Sequence, residues 1–107
     1  MTEKELDNDS LKQIIKRFLE EIQKKYKIDN AYLYGSFAKG TSNKWSDIDI
    51  AVVSPDFSDD LFQDRLLLMR VAYSIDDRIE PKPFKKELFS RNDPLVNEIQ
   101  KNGIRLI

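Results

Sequence analysis

Residues 32–36 read Tyr-Leu-Tyr-Gly-Ser and residues 47–50 read Asp-Ile-Asp-Ile, and ten residues of mostly polar loop separate the two segments. Each segment has the apolar composition of a strand. On a strand, side chains two positions apart point to the same face, so Asp47 and Asp49 are expected to project side by side. Two carboxylates this close repel each other unless a cation lies between them, and Mg²⁺ prefers oxygen ligands. The pair therefore predicts a metal site.

The end of the first segment has the features of an anion site. Gly35 allows the backbone to turn tightly and to approach a ligand, and Ser36 adds a hydroxyl to the free backbone N–H groups of a turn. Lys39, in the short helical turn predicted next, is placed to contact a phosphate but is as readily explained as an exposed lysine. An anion site beside paired carboxylates is suited to a nucleoside triphosphate.

Composition predicts a single soluble domain over residues 1–107. Apolar residues make up 40% of the chain and charged residues 35%, which is typical of a globular protein. Residues 1–9 are polar and are expected to be a disordered tail without a secretory signal. No apolar run is long enough to cross a bilayer. These features together predict a cytoplasmic protein with no membrane partner.

The chain contains neither cysteine nor histidine. This excludes disulfides, thiolate nucleophiles, Ser-His-Asp triads and the usual zinc sites. The net charge of −1 argues against strong overall affinity for nucleic acid. A local basic patch around Lys39 and Lys44 remains possible, and Trp45 fits either packing on a strand or stacking on a base. Catalysis would have to rest on carboxylates, Lys, Tyr or Ser together with a bound metal.

Hydrophobic periodicity and capping signals predict an α/β fold. The helix over residues 61–74 carries apolar residues around more than half of its circumference, so it is either deeply buried or packed partly against another chain. Pro81 and Pro83 confine the third strand to a sheet edge, or themselves to the end of a strand. The predicted elements are a helix after an N-cap at Ser10 to about Lys25, strands at 29–35, 47–53 and 77–84, a helical turn at 36–39 ended by Gly40, a helix capped by Asp59 or Asp60 and ending near Ser74, a helix between Asp93-Pro94 and Gly103, and a short strand within 104–107.

Together, the strand, Gly35-Ser36, the short helical turn and Asp47-Ile48-Asp49 resemble the signature of the DNA polymerase β-like nucleotidyltransferases, most closely the minimal nucleotidyltransferases. The resemblance is close from about Ala31 to Val53 and looser through Glu80. It implies a polymerase β palm-like fold, with a small mixed sheet and helices packed on one face. The strand order follows from the resemblance, because periodicity does not supply it.

The resemblance also implies a two-metal nucleotidyl transfer, with two Mg²⁺ ions expected. Asp47 and Asp49 match the metal-binding aspartates, and Gly35 and Ser36 match the residues that hold the β- and γ-phosphates. A third carboxylate completes such sites and helps to activate the attacking hydroxyl. Glu80 is the first candidate because Ile79 beside it gives the alternation of a half-buried strand, and Asp77 is the second. Glu80 could instead be an edge carboxylate that pairs with Arg78 or Lys82.

In its size the chain resembles the antitoxins of two-component systems, in which a nucleotidyltransferase pairs with a small helical HEPN-type toxin. That resemblance implies transfer of AMP from ATP to a tyrosine of the toxin, with a hetero-oligomer as the working form. A small-molecule nucleotidyltransferase, acting as a homodimer, is one alternative. A catalytically silent antitoxin that neutralises its partner by contact alone is another. The sequence itself specifies neither adenine nor tyrosine.

Overall fold

A computed structural model describes residues 8–43, 46–90 and 92–107 of the chain. Helices and strands follow one another with short connections, close to the predicted order. The elements are α1 (Asn8–Gln23), β1 (Asn30–Tyr34), α2 (Ser36–Lys39), β2 (Ile48–Ser54), α3 (Leu61–Ile75), β3 (Ile79–Lys85), a 3₁₀ turn (Lys86–Leu88), α4 (Pro94–Asn102) and β4 (Ile104–Arg105).

The four strands form one mixed sheet in the order β3-β2-β1-β4. β1 is antiparallel to both β2 and β4, whereas β2 and β3 are parallel. The predicted mixed sheet is confirmed, and its three longer strands lie side by side. Pro81 and Pro83 lie in β3 at the sheet edge, where a residue that lacks a backbone N–H leaves no ladder position unpaired.

One face of the sheet is covered by α1 and α3, which carry most of the core. Phe18 and Ile22 of α1 and Leu68 of α3 are fully buried against Ile48 and Ile50 of β2. At about 25 cal/mol per Å² of apolar surface, burying side chains of this size contributes roughly 1.5–3 kcal/mol each. This packing fixes β2, and therefore the residues that alternate with Ile48 and Ile50, in the middle of the molecule.

The opposite face is partly covered by α4, which corrects the expectation that all helices pack on one face. Val96 and Ile99 of α4 are buried against Ala51 and Val53 of β2. The helical spacing of α4 showed an apolar side, but periodicity does not tell which face of a sheet that side will cover. Asp49, at the start of β2, shares this second face with Ala51 and Val53 but lies outside their cluster with α4 and is only partly buried, so we call this end of β2 the open end.

The local end signals agree with the structure at most boundaries. Asp60 caps α3 by accepting a hydrogen bond from the Phe62 N–H, and Asp93 caps α4 by accepting one from the Leu95 N–H. Gly40 ends α2 in the left-handed conformation.

The start of α1 differs from the prediction. The helix begins at Asn8 rather than after Ser10, so residues 8 and 9 are helical and not part of a tail. A carboxylate such as that of Asp9 is favoured in the first turn by the helix dipole. Residues 1–7, Lys44 and Trp45 lie outside the described residues. Within the described ranges, no helix combines the length and the apolar character needed to cross a membrane.

Candidate active site at the open end of the central strand

Three polar side chains form a row across the sheet at the open end of β2. Asp49 of β2 is the register partner of Tyr34 in β1 on one side and of Glu80 in β3 on the other. Register partners point to the same face, and the flanking Ile48 and Ile79 point to the opposite, buried face. The sequence motif and the predicted third strand therefore meet, as the sequence analysis expected for Glu80.

The Asp49 carboxylate packs directly against Gly35. Gly35 has φ 73° and ψ −148°, a conformation that is nearly exclusive to glycine. A β-carbon added at Gly35 would overlap Asp49 Oδ2 and would lie 3.2 Å from Asp49 Cγ. The glycine is therefore required twice, once for the turn between β1 and α2 and once to leave room for the carboxylate.

Uncompensated negative charge accumulates around Asp49. Partial burial, the nearby Asp47 carboxylate and the Glu80 carboxylate together raise the pKa of Asp49 to about 6. Asp47 lies just before β2 and is exposed, so the predicted pair is present with one member partly buried and the other in solvent. Such repulsion is what a bound cation would relieve.

Arg65 of α3 holds the Glu80 side chain. Its guanidinium nitrogen lies 3.0 Å from Glu80 Oε2. The alternative partners proposed from sequence are not the ones observed, because Arg78 instead forms a fork with Asp76 at 2.9 and 3.0 Å. Asp77 precedes β3, is exposed and has no register partner in β2, so the geometry favours Glu80 over Asp77 as a neighbour of Asp49.

The candidate anion-binding residues lie at the start of α2. Gly35 is the N-cap residue and Ser36 the first helical residue, and the first N–H groups of any helix have no partner within it. Lys39 lies one turn further on, where its ammonium group is 3.9 Å from Glu98 of α4 and remains more than half exposed. The structure thus brings Gly35 and Ser36 next to Asp49 and leaves Lys39 at the rim.

Two residues of the site were not predicted to have a role. Tyr34 immediately precedes Gly35, and burial followed by the charges of Asp49 and Glu80 raises the pKa of its hydroxyl to about 12, against a smaller opposing effect of Arg65. The phenol therefore stays protonated next to the carboxylates. Its position before the Gly-Ser pair was a usable signal, whereas nothing in the sequence around Arg65 indicates a contact with β3.

The carboxylates of Asp47, Asp49 and Glu80 are candidate metal ligands. Among residues 8–43, 46–90 and 92–107, no three acidic, histidine or cysteine side chains are already gathered so as to hold an ion. The donor chemistry nevertheless fits a hard cation, since Asp47 and Asp49 present carboxylate oxygens that form no ion pair with a basic side chain in the part of the chain that the structure describes. Glu80 is held toward Arg65 in an ion pair that is half exposed, with 45% and 39% of the two side chains accessible. Such a pair costs little to open.

Comparison with known proteins agrees with this fold. The model of the nucleotidyltransferase domain family matches residues 15–105, and the chain therefore belongs to that family. Among curated proteins no significant match was found.

Solved structures give the same fold. A Sulfolobus solfataricus protein described as a nucleotidyltransferase is similar with a TM-score of 0.62 and 20% identity, over 87% of this chain and 76% of that one. A toxin-antitoxin structure with AMP-PNP is similar with a TM-score of 0.63 and 27% identity, over 89% and 71%. A MntA-HpeT toxin-antitoxin variant, with two aspartates two positions apart changed to glutamate, has a TM-score of 0.59 and 27% identity, over 90% and 71%.

Proposed function

We propose that this nucleotidyltransferase-domain protein transfers AMP from ATP to a hydroxyl of a partner toxin and thereby acts as an antitoxin. The single observation that carries the proposal is the arrangement of Asp49. Its carboxylate lies against Gly35 at the start of α2, comes two residues after Asp47, which lies just before β2, and stands opposite Glu80 on the neighbouring strand. Phosphate-binding and carboxylate groups are thus adjacent in a family whose chemistry is nucleotidyl transfer.

The reaction breaks one phosphoanhydride bond and forms one ester. The acceptor hydroxyl oxygen attacks the α-phosphorus, the bond from that phosphorus to the bridging oxygen breaks, and pyrophosphate leaves. Gly35 and Ser36 would hold the β- and γ-phosphates, so that the leaving group stays in line with the attacking oxygen. Glu80 would accept the proton of the hydroxyl, since it is the carboxylate at the open edge where an acceptor can approach.

Mg²⁺ fits the donor set of this site. Asp47, Asp49 and Glu80 would hold it, with Glu80 leaving Arg65. When bound, the metal would lower the pKa of the acceptor hydroxyl and neutralise charge on the leaving oxygens, contributions on the order of several kcal/mol. The raised pKa of Asp49 supports this assignment, because burial and, after it, the charges of Asp47 and Glu80 disfavour the ionised carboxylate, and a bound cation would favour it.

The toxin-antitoxin neighbours support the choice of acceptor and nucleotide. One of those structures holds AMP-PNP, and another carries paired Asp-to-Glu changes with the same spacing as Asp47 and Asp49. A small helical HEPN-type toxin is the acceptor protein in this proposal, and one of its tyrosines provides the hydroxyl. Transfer of a nucleotide adds bulk and negative charge to that tyrosine, which would block a toxin that depends on it.

The test is label transfer to protein. The purified chain is incubated with Mg²⁺, the product of the neighbouring gene and α-phosphate-labelled nucleotides, one base at a time. Label on a discrete protein band with ATP is expected, and with the other bases much less. If another labelled nucleotide is transferred instead of ATP, only the proposed base preference is wrong.

Two variants control this experiment. Asp47→Asn/Asp49→Asn should abolish labelling. Asp9→Asn, which removes one charge from the exposed first turn of α1, should leave it unchanged. If no protein is labelled while Mg²⁺-nucleotide binding is intact, the acceptor is a small molecule. If neither labelling nor nucleotide binding occurs, the chain acts by contact alone and the proposed activity is wrong.

A further inference from the structure

Helix α3 has two apolar faces, and only one of them faces the core. Leu68 and Ala72 are buried against the sheet and α1. On the outer side, Phe62, Leu66 and Tyr73 are 64%, 42% and 70% exposed. We call Phe62, Leu66, Met69 and Tyr73 the outer stripe. The sequence left open whether this helix is deeply buried or packs partly against another chain, and in the structure Phe62, Leu66 and Tyr73 of the outer stripe remain exposed among the described residues.

The spacing of the outer stripe is that of a helix-packing seam. Its members follow one another at intervals of four, three and four residues, the repeat of a and d positions in a coiled coil. They line a groove of about 440 Å³ along the helix. A seam with this repeat fits the side chains of one partner helix better than it fits an extended peptide.

The outer stripe leads into the active site. Met69 and Tyr73 also line a small cleft of about 70 Å³ whose other walls include Asp77 and Glu80. On the same helix, Arg65 pairs with Glu80. A helix that lies on the outer stripe would therefore pass beside the carboxylates, where an acceptor hydroxyl has to be presented.

The charges on either side of the outer stripe indicate which kind of helix can bind to it. Arg65 and Arg70 border the outer stripe on its two sides, at the positions that correspond to g and e of the repeat. Arg70 makes no ion pair within the described part of the chain. If a second copy packed here, its arginines would face those of the first copy in either helix orientation, and such like-charge contacts are unfavourable. Acidic residues on a different protein would complement both arginines.

We propose that the outer stripe of α3 is the docking surface for a helix of the acceptor protein, with an apolar face and acidic flanks that meet Arg65 and Arg70. This inference deepens the proposed function and rests on it, because the acceptor is the protein that receives the nucleotide. The docked helix holds the acceptor against the edge of β3.

Binding, measured separately from catalysis, tests the docking surface. The probe is the purified product of the neighbouring gene, titrated by calorimetry against the chain carrying Asp47→Asn so that no transfer occurs. Leu66→Glu and Tyr73→Glu in that background should each weaken binding by about 30-fold or more, the usual effect of losing a central interface contact. Arg70→Glu should weaken it less and should reduce its dependence on salt.

The matched control is Leu88→Glu, which places the same charge on another apolar side chain that is 66% exposed, in the 3₁₀ turn after β3. Its affinity should equal that of the parent. Circular dichroism melting of every variant should give the parent's unfolding temperature, because the changed side chains are all exposed.

Opposite outcomes separate the two claims. The docking surface is wrong if Leu66→Glu binds as tightly as the parent, if the parent does not bind the probe, or if Leu66→Glu converts a dimer of this chain into a monomer. If Leu66→Glu loses binding and the wild-type chain transfers no nucleotide, the docking surface is supported and the proposed transferase activity is wrong. If Leu66→Glu transfers the nucleotide as well as the wild-type chain does, the proposed activity is supported and the proposed docking surface is wrong.

Discussion

At the scale of single residues, the site depends on one contact between backbone and carboxylate. Gly35 lets Asp49 pack where any side chain would displace it, and its positive φ turns the chain from β1 into α2. The strand that provides the metal-binding candidate and the turn that provides the phosphate-binding candidate are thereby held at a fixed spacing. At a second glycine with positive φ, Gly40, an added β-carbon would meet no atom of the described residues within 4 Å, so a side chain there would add backbone strain without a steric contact.

This difference predicts distinct effects for Gly35→Ala and Gly40→Ala. Both should lower the free energy of unfolding, by about 1–3 kcal/mol, since alanine is strained at positive φ. Only Gly35→Ala should also lose nucleotide transfer, because its methyl group displaces the Asp49 carboxylate. Urea unfolding and label transfer measure the two effects. Equal transfer by both variants would show that the close approach of Asp49 to Gly35 is not needed.

Glu80 and Asp77 are distinguished by their positions relative to Asp49. Glu80→Gln keeps the size of the side chain and a hydrogen-bond acceptor for Arg65 but removes the charge, and transfer should fall about 100-fold or more. Asp77→Asn, outside the sheet, should change transfer little. Rates of label transfer at saturating ATP decide the matter. If Asp77→Asn is the damaging change, Asp77 is the third carboxylate and Glu80 serves only as the partner of Arg65.

At the scale of elements, a buried carboxylate joins α3 to the segment that follows α1 and to the loop that precedes α3. Asp64 of α3 accepts hydrogen bonds from the Tyr26 hydroxyl at 3.2 Å, from the Ser58 N–H at 2.8 Å and from the Ser58 hydroxyl at 3.0 Å. Tyr26 follows the end of α1 and also meets the ring of Phe57 edge-on at 4.8 Å. This cluster fixes α3, and with it Arg65 and the outer stripe, relative to the sheet.

The Tyr26 hydroxyl makes stability depend on pH in the alkaline range. Burial, followed by the charge of Asp64 and the hydrogen bond to it, raises the pKa of Tyr26 to about 12 from about 10. The stabilisation is therefore complete below pH 10 and is lost as the pH rises through 12. Tyr26→Phe should cost about 1 kcal/mol at neutral pH and make the alkaline loss of stability shallower.

Urea unfolding at several pH values between 8 and 12 measures this effect. Tyr34, whose pKa is also raised to about 12, keeps part of the alkaline dependence in the Tyr26→Phe variant. Tyr73→Phe, at a ring that is 70% exposed, is the control and should follow the wild-type curve. Identical curves for wild type and Tyr26→Phe would show that the hydroxyl contributes nothing to the link between α1 and α3.

The elements could be predicted from sequence wherever a local signal sets them. Asp60, Asp93-Pro94 and Gly40 end or begin helices through contacts within a few residues, and these boundaries agree with the structure. Contacts between distant elements could not be predicted in this way. Hydrophobic periodicity does not indicate which side of the sheet α4 covers, nor that Arg65 pairs with Glu80. Both depend on how the amphipathic elements pack against one another.

At the scale of the whole molecule, one face of the sheet carries most of the hydrophobic core and the other carries the candidate active site. One face is filled by α1 and α3, and the other is covered by α4 at one end and open at the other, where Tyr34, Asp49 and Glu80 lie in register. The sequence predicts that the two aspartates face away from the core, since they alternate with isoleucines that are buried. The open end itself depends on where α4 packs, which only the structure gives.

The central claim is that the molecule transfers a nucleotidyl group, and the position of the label within ATP tests it most directly. Parallel reactions contain wild-type chain, Mg²⁺, the purified neighbouring gene product and ATP labelled at either the α- or the γ-phosphate. We expect the α-label on the partner protein and the γ-label released as pyrophosphate, with neither transferred by Asp47→Asn/Asp49→Asn. Label from the γ-phosphate on the partner, or transfer that survives in the double variant, would contradict the proposed reaction and its site.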